Sequence, residues 1–390
     1  MLNDIPLSLY VHIPWCIKKC PYCDFNSHEK NTSFDEKSYV RALLFDLENE
    51  HRLGQQRTLQ SIFFGGGTPS LFSADAIAQV IAQARDLFTF DDIEITLEAN
   101  PGTFEQEKFD AFRDAGVNRL SIGIQSFNEN HLNSLGRIHD RDQALNAIAT
   151  AQRAGFENIN LDLMFGLPQQ TVTQALDDIK TAGEFGVQHI SHYQLTIEEN
   201  TYFHKHTPVL PENDLIWEMQ TRCQDILTDN QYQQYEISAY AKTRAGADRQ
   251  SKHNLNYWQF GDYIGIGAGA HGKLTTKDST AESENHFSIF RRWKHRQPQQ
   301  YISQMLNGDA VSGQQQLDKS DIVFEFLLNA LRLKAGCDIK KFEQRTGLNF
   351  AVLVRQVKNI DSSLLLIDND RIRTTEQGFL FLNEILEKLV

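Results

Sequence analysis

The 390-residue sequence contains no apolar run approaching the roughly 20 residues of a membrane-spanning helix. It has no surplus of positive charge either: 38 lysines and arginines face 51 aspartates and glutamates, a formal net charge of −13. The first absence speaks against a chain threaded through a bilayer, the second against broad binding of nucleic acid or anionic membrane. The opening residues, MLNDIPLSLYVHIP, lack a basic segment followed by an apolar one, so no secretory leader is expected. No internal period of about 20–50 residues recurs, which excludes a solenoid. Cysteine is scarce, with five in all: Cys16, Cys20 and Cys23 lie close together, Cys223 and Cys337 stand alone. An odd number with one tight cluster suits reduced thiols in a cytoplasmic protein better than a disulfide scaffold. Otherwise the composition is that of an ordinary soluble globular chain, 41% hydrophobic and 23% charged, long enough for one large and one smaller domain.

Short runs rich in Ile, Leu, Val, Tyr and Phe recur along the first half: LSLYVHI (7–13), SIFFGGG (61–67), IEITLEAN (93–100), RLSIGIQSF (119–127), NINLDLMFGLP (158–168) and HISHYQLTI (189–197). Between them stand stretches with apolar residues every three or four positions, such as ADAIAQVIAQARDLF and TVTQALDDIKTAGEFG, several closed by glycine (Gly116, Gly155, Gly186). Alternating strands and helices, with runs apolar on both faces, predict parallel strands buried under helices. The expected fold class is α/β, a partial (β/α)6 TIM-like barrel. Two further strands are expected in YQQYEISAYAK (232–242) and DYIGIGAGAHG (262–272), giving a barrel domain over 1–275. The polar stretch 276–318 reads as loop or linker. Residues 319–390 read as helices around a β-hairpin, LLLIDNDRIRTT, a small α+β winged-helix-like domain. Such a module binds DNA or serves as a lid or docking domain; without a basic stripe, nucleic acid is not expected as a partner.

The chemistry-bearing residues gather where the strands end, the face that carries the active site in α/β barrels. The loop after the first strand, LYVHIPWCIKKCPYCDF, holds three cysteines spaced C-x3-C-x2-C. Thiolates select zinc, copper(I) or iron–sulfur clusters. A structural zinc site needs four ligands, which His12 or His28 would have to complete. A [4Fe–4S] cluster held by three sulfurs leaves one iron open to a small molecule. GGGTP (65–69) offers backbone that a ligand can approach closely, or simply a turn at a strand end. GIGAGAHG (265–272) mimics a dinucleotide fingerprint but lacks the strand–turn–helix setting, and reads as a turn closing the barrel.

The cysteine spacing followed by GGGTP resembles the radical S-adenosylmethionine (SAM) superfamily. Within it the sequence is similar to the HemN-like, oxygen-independent coproporphyrinogen III oxidase group, from about residue 7 to the C-terminus. The resemblance implies a radical SAM barrel in which Cys16, Cys20 and Cys23 hold a [4Fe–4S] cluster, whose open iron takes the amino and carboxylate groups of SAM for reductive cleavage to a 5′-deoxyadenosyl radical. It further implies SAM contacts at Tyr10, Tyr22, Gly66, Gly67, Thr68, Glu98, Gln125, Arg137 and Asp162. Carboxylates for an ammonium or ribose, and a guanidinium for a carboxylate, are what a zwitterionic nucleoside requires.

Two features place the sequence nearer the HemW branch of that group, regarded as heme chaperones. The oxidases carry a further cysteine two residues after the third, where this sequence has Phe25. HNLNYW (253–258) resembles the H-N-x-x-Y-W motif associated with heme in that branch, which implies heme contacts at His253, Asn254, Tyr257 and Trp258. An imidazole can ligate heme iron, and large aromatics offer flat apolar surface to a porphyrin. Read without the resemblance, the same residues are core aromatics beside a hydrogen-bonded histidine. His192, His204, His206 and His271 are further candidate ligands. The branch implies a chain that binds heme, cluster and SAM and delivers heme to acceptors such as respiratory enzymes, as a monomer or homodimer with at most peripheral, partner-mediated membrane contact. The alternatives are the oxidase itself, which decarboxylates porphyrinogen propionates, and a radical enzyme acting on nucleic acid.

Overall fold

The computed structural model describes residues 2–30, 34–53, 57–102, 106–242, 249–277, 287–368 and 370–389. Six parallel strands follow one another in spatial order: β1 (Leu7–Ile13), β2 (Leu59–Gly66), β3 (Glu94–Ala99), β4 (Arg119–Gln125), β5 (Ile159–Phe165) and β6 (His189–Gln194). Helices Glu36–Leu53, Ala74–Leu87, Gln106–Asp114, Arg141–Arg153 and Val172–Glu184 connect them. Local chemistry sets where helices begin. Asp140 and Thr171 form capping boxes with Gln143 and Gln174, and Ser73 caps the Ala76 amide, satisfying donors that a helix start leaves bare. The outward faces of the strands and the apolar stripes of these helices merge into the main core, with Leu9, Ile62, Leu97, Ile122, Leu161 and Ile190 essentially inaccessible.

The sheet is wider than the six barrel strands and two further strands expected, and stays open. The run 232–242 is two short antiparallel strands, Tyr232–Gln234 and Ala239–Lys242, the second pairing with β6. The run 262–272 is also interrupted: Asp262–Ile266 pairs parallel with β1, and the chain turns into an antiparallel strand, His271–Lys277. The turn expected to close the barrel therefore extends the sheet on the far side of β1. The polar stretch read as linker continues that extension. Within its described part, Phe287–Lys294 and Val311–Gln316 are the last two strands of a twelve-stranded sheet, with helix Pro298–Leu306 between them. Most of TTKDSTAESEN lies outside the described residues.

Buried charge fixes this extension. Lys294 Nζ donates to Asp46 (2.5 Å) and Glu50 (2.7 Å) on the first long helix, and Tyr301 donates to Asp46 (2.8 Å). Asp262 accepts from Arg57 (2.8 Å), Lys273 (2.6 Å) and Thr275 (2.9 Å), all buried.

The strands' inward faces are polar toward their N-terminal ends. Ser8, Ser61, Thr96, Ser121, Asn160 and His189 are buried there, and Ser61 donates to Ser8 (2.9 Å). Helix Lys252–Trp258 plugs this end, its first amides held by Glu94.

The C-terminal unit has its own core, in which Phe260 of the barrel meets Phe326, which in turn packs against Phe342. Helix Lys319–Ala330 leads into a three-stranded sheet, Cys337–Asp338, Leu365–Ile367 and Arg371–Thr374, whose last two strands form the expected hairpin. Among the described residues, no helix is long and apolar enough to cross a membrane.

Candidate functional site: two adjoining cavities

At the C-terminal ends of the strands the chain encloses a cavity of about 160 Å3. The loop after β1 brings Cys16, Cys20 and Cys23 to one side of it, pinned by a two-residue parallel pairing of Trp15–Cys16 with His28–Glu29. The glycine loop after β2 locks onto this segment: the Gly67 amide donates to the Ile13 carbonyl (2.8 Å) and the Thr68 amide to that of Trp15 (2.7 Å). The approach admits no side chain at Gly67, where a Cβ would stand 2.6 Å from the Trp15 carbonyl oxygen. Gly66 carries φ 115°, and a Cβ there would strike the His12 ring.

Eight of the nine residues expected around SAM line this cavity: Tyr22, Gly66, Gly67, Thr68, Glu98, Gln125, Arg137 and Asp162. Tyr10 does not; it faces a neighbouring cavity, its hydroxyl 2.9 Å from His12 Nδ1. Arg137 spans the floor, donating to Asn100 Oδ1 (2.5 Å), the Gly123 carbonyl (2.7 Å) and Cys20 Sγ (3.5 Å). Gln125, at φ 68°, accepts from the Tyr193 hydroxyl (2.8 Å). Sequence reasoning passed over Asn100 and Tyr193, although both sit at strand ends like the residues it chose.

The electrostatics suit a cationic guest. Burial pushes the Cys16 thiol up to about 11, against a hydrogen bond from Thr68, and raises Cys23 as well. Protonated thiols lining a confined space give up their protons to a metal centre, so cluster loading releases protons. Burial, reinforced by the Asp162 charge, pushes Glu98 up to about 8. Among the described residues, no three His, Cys, Asp or Glu side chains converge closely enough to hold a single metal ion. Three sulfurs spread around a cavity that also presents Glu98, Asp162 and Arg137 are a donor set that fits a thiolate-bound cluster with a zwitterionic nucleoside beside it.

The Glu98 shift has a measurable consequence. Its folded-state value lies above the ordinary 4.5, so the folded chain holds a proton that the unfolded chain releases. This contribution is complete below about 4.5 and is lost as pH rises through about 8. Glu98→Gln removes the liability: the metal-free variant is expected to melt higher than the parent at pH 8 and equally at pH 4.5, by thermal unfolding.

A second cavity, of about 610 Å3, adjoins the first, and Phe25, Gly66 and Glu98 line both. Its walls are aromatic: Tyr10, Phe25, Tyr257, Trp258, Phe260 and Tyr263. Lys273, Arg291 and Arg296 supply positive charge, Lys273 held by Asp262 and Arg291 by Glu325. Helix Lys319–Ala330 contributes Asn329 to the lining, so the C-terminal unit closes this cavity. The indole N–H of Trp258 is buried without a partner among the described residues, and Arg332 lies over the ring at 4.3 Å.

The HNLNYW segment is divided by its helix. Tyr257 and Trp258 reach the second cavity, whereas His253 points into the plugged end of the barrel. Only 1% exposed, it engages Ser61 Oγ through Nδ1 (2.8 Å) and the Tyr257 hydroxyl through Nε2 (2.9 Å), and stacks on Phe63. In this arrangement the axial ligand expected at His253 is not presented to the cavity. Asn254 does not line it either; its amide is capped by Ser251. His192, also expected as a candidate, is buried against Phe165.

Comparison with known proteins agrees with this layout. The Radical SAM superfamily model matches residues 10–182, and the HemN C-terminal domain model residues 317–381. A curated protein of Haemophilus influenzae named Heme chaperone HemW is 47% identical, covering 98% of this chain and 97% of that one. One of the same name from Escherichia coli is 45% identical over 99% of both. Among solved structures, coproporphyrinogen III oxidase (HemN) from Escherichia coli superposes with a TM-score of 0.80, covering 99% of this chain and 90% of that one; at 22% identity it shows the shared fold. Aligned end to end with relatives of such identity, the chain belongs to the HemW family of radical SAM proteins.

Proposed function

We propose that this protein is a heme chaperone: it takes heme into the larger cavity and hands it to acceptor proteins, respiratory enzymes among them, from the cytoplasm, with membrane contact made peripherally through those acceptors. The smaller cavity holds the [4Fe–4S] cluster on Cys16, Cys20 and Cys23, with SAM against Glu98, Gln125, Arg137 and Asp162. When bound, that pair supplies one-electron chemistry at SAM.

The observation that carries this reading is the larger cavity itself. A flat, apolar dianion is met by six aromatic side chains, a free indole N–H and a cationic edge, within the size range of small-molecule sites, about 300–1,000 Å3. The names of the close relatives point the same way. Tyr257 and Trp258 form the wall, and His253 supports it from behind by holding the Tyr257 hydroxyl.

Coproporphyrinogen oxidase chemistry is the competing reading, because the two cavities share an edge. Two assays on anaerobically prepared, cluster-loaded protein separate them. Hemin titration is expected to give a saturable absorption band at one heme per chain, and coproporphyrinogen III is expected to remain unconverted. Phe25→Cys, which restores a sulfur at the shared edge, is expected to leave it unconverted too. Turnover by the parent protein, or no saturable hemin band, would refute the chaperone reading.

A further inference from the structure

The larger cavity surrounds a porphyrin with aromatics but needs a group for its iron, and the histidine of the HNLNYW segment is sealed away. Two other imidazoles line the cavity, His12 and His271. His12 is spent: Nδ1 faces the Tyr10 hydroxyl at 2.9 Å, and Nε2 the Asn26 carbonyl at 2.8 Å. His271 differs. It begins the strand His271–Lys277, is exposed toward the cavity, and no hydrogen bond engages its ring among the described residues. Across the strand pair it faces Trp293, whose ring lies 6.2 Å away and inclined by 25°. Residues two apart on a strand share a face, and Lys273 and its cross-strand neighbour Arg291 line the same cavity. Partial burial of its base on the strand, reinforced by the charges of Arg291 and Arg296, lowers its proton affinity and favours the neutral imidazole, a nitrogen donor.

Resting on the heme reading above, we propose that His271 is the side chain that ligates heme iron in the larger cavity, with Arg291 and Arg296 placed for the two propionates. Loading then requires no opening of the plugged barrel end. An exposed ligand at a strand start also leaves the iron within reach of an incoming acceptor.

The test is hemin titration of the full-length, anaerobically purified chain, read by the position of the Soret band and by affinity, with circular dichroism and SAM binding as fold controls. The parent is expected to show a histidine-ligated spectrum. His271→Ala is expected to lose that spectrum and about tenfold or more in affinity, and free imidazole is expected to restore the band. His271→Met is expected to give a distinct, thioether-type spectrum. His253→Ala is expected to bind more weakly with the band unmoved. If the parent binds hemin and His271→Ala keeps its band and affinity, or if His253→Ala alone abolishes the ligated spectrum, the assignment of His271 is overturned while the chaperone reading stands. If the parent takes up no hemin, both fall.

Discussion

Serine in place of Cys16, Cys20 or Cys23 is expected to empty the protein of iron. After anaerobic reconstitution the parent should hold about four irons per chain, the content of one [4Fe–4S] cluster, and each variant close to none. The three sulfurs share one cavity and have no substitute nearby: Cys223 and Cys337 are buried in other parts of the chain, Cys337 in the C-terminal core. Serine keeps the shape and loses the soft thiolate that binds iron. The loop should still fold, since its pairing with His28–Glu29 and the glycine loop uses backbone groups. Far-ultraviolet circular dichroism should therefore be unchanged while the iron is lost. A variant that retains a full cluster would show that its cysteine is not a ligand.

The second large effect concerns stability. Asp262 is the carboxylate that pairs with both Arg57 and Lys273 inside the protein, and none of the three side chains is more than 3% exposed. Removing one member of a buried ion pair leaves charge uncompensated in a poor solvent, a loss of about 3–5 kcal/mol. Asp262→Asn is therefore expected to lower the melting temperature by roughly 5 °C. Lys273→Met in the same background should recover part of the loss by removing one stranded cation. The pH dependence follows. Burial alone would raise Asp262, but Lys273 and Arg57 outweigh it and hold the carboxyl below its ordinary 3.8. The contribution is thus present at pH above about 3.8 and lost as pH falls through the lower, folded-state value. An unchanged melting temperature in Asp262→Asn at neutral pH would mean the network carries no weight.

The parallel barrel was legible because each strand is a run of β-branched and apolar residues between glycine-rich or polar ends, and all six were placed within two or three residues of their bounds. The extension of the sheet was not. Phe287–Lys294 carries three charges, and Lys294 is buried only because Asp46 and Glu50, some 240 positions earlier in the chain, meet it. Val311–Gln316 is a polar edge strand with little apolar signal. Local patterns cannot show pairings made at such separation. The polar barrel interior was hidden for the same reason: Ser61 and Glu94 read as single polar residues in apolar runs until the helix carrying His253 meets them, and Asn160 until Ser121 and His189 do.

In the smaller cavity, the three cysteines and eight of the residues that the resemblance implied around SAM come together at the strand ends, while neighbours such as Asn100, Ser121 and Tyr193 were not singled out. Tyr10, implied by the resemblance as a SAM contact, lines the other cavity instead. Tyr10 sits mid-strand beside the parallel strand Asp262–Ile266, so it faces the space that the sheet extension encloses. The larger cavity is built from distant parts of the chain, the first three strands at Tyr10, His12, Gly66 and Glu98, the cysteine loop at Phe25, the HNLNYW helix and the strands from 262 to 296, closed by helix Lys319–Ala330. No single stretch announces it, and His271 was one candidate among several until the fold set it on the cavity wall opposite Trp293.

The central claim is that cluster and heme occupy adjoining cavities separated by Phe25. Iron-edge anomalous diffraction from crystals of the cluster-loaded, hemin-bound protein tests it most directly. The account expects iron density at Cys16, Cys20 and Cys23, and a separate iron peak in the cavity lined by Tyr257, Trp258 and His271. A heme iron located elsewhere on the molecule, or zinc rather than iron at the three cysteines, would contradict it.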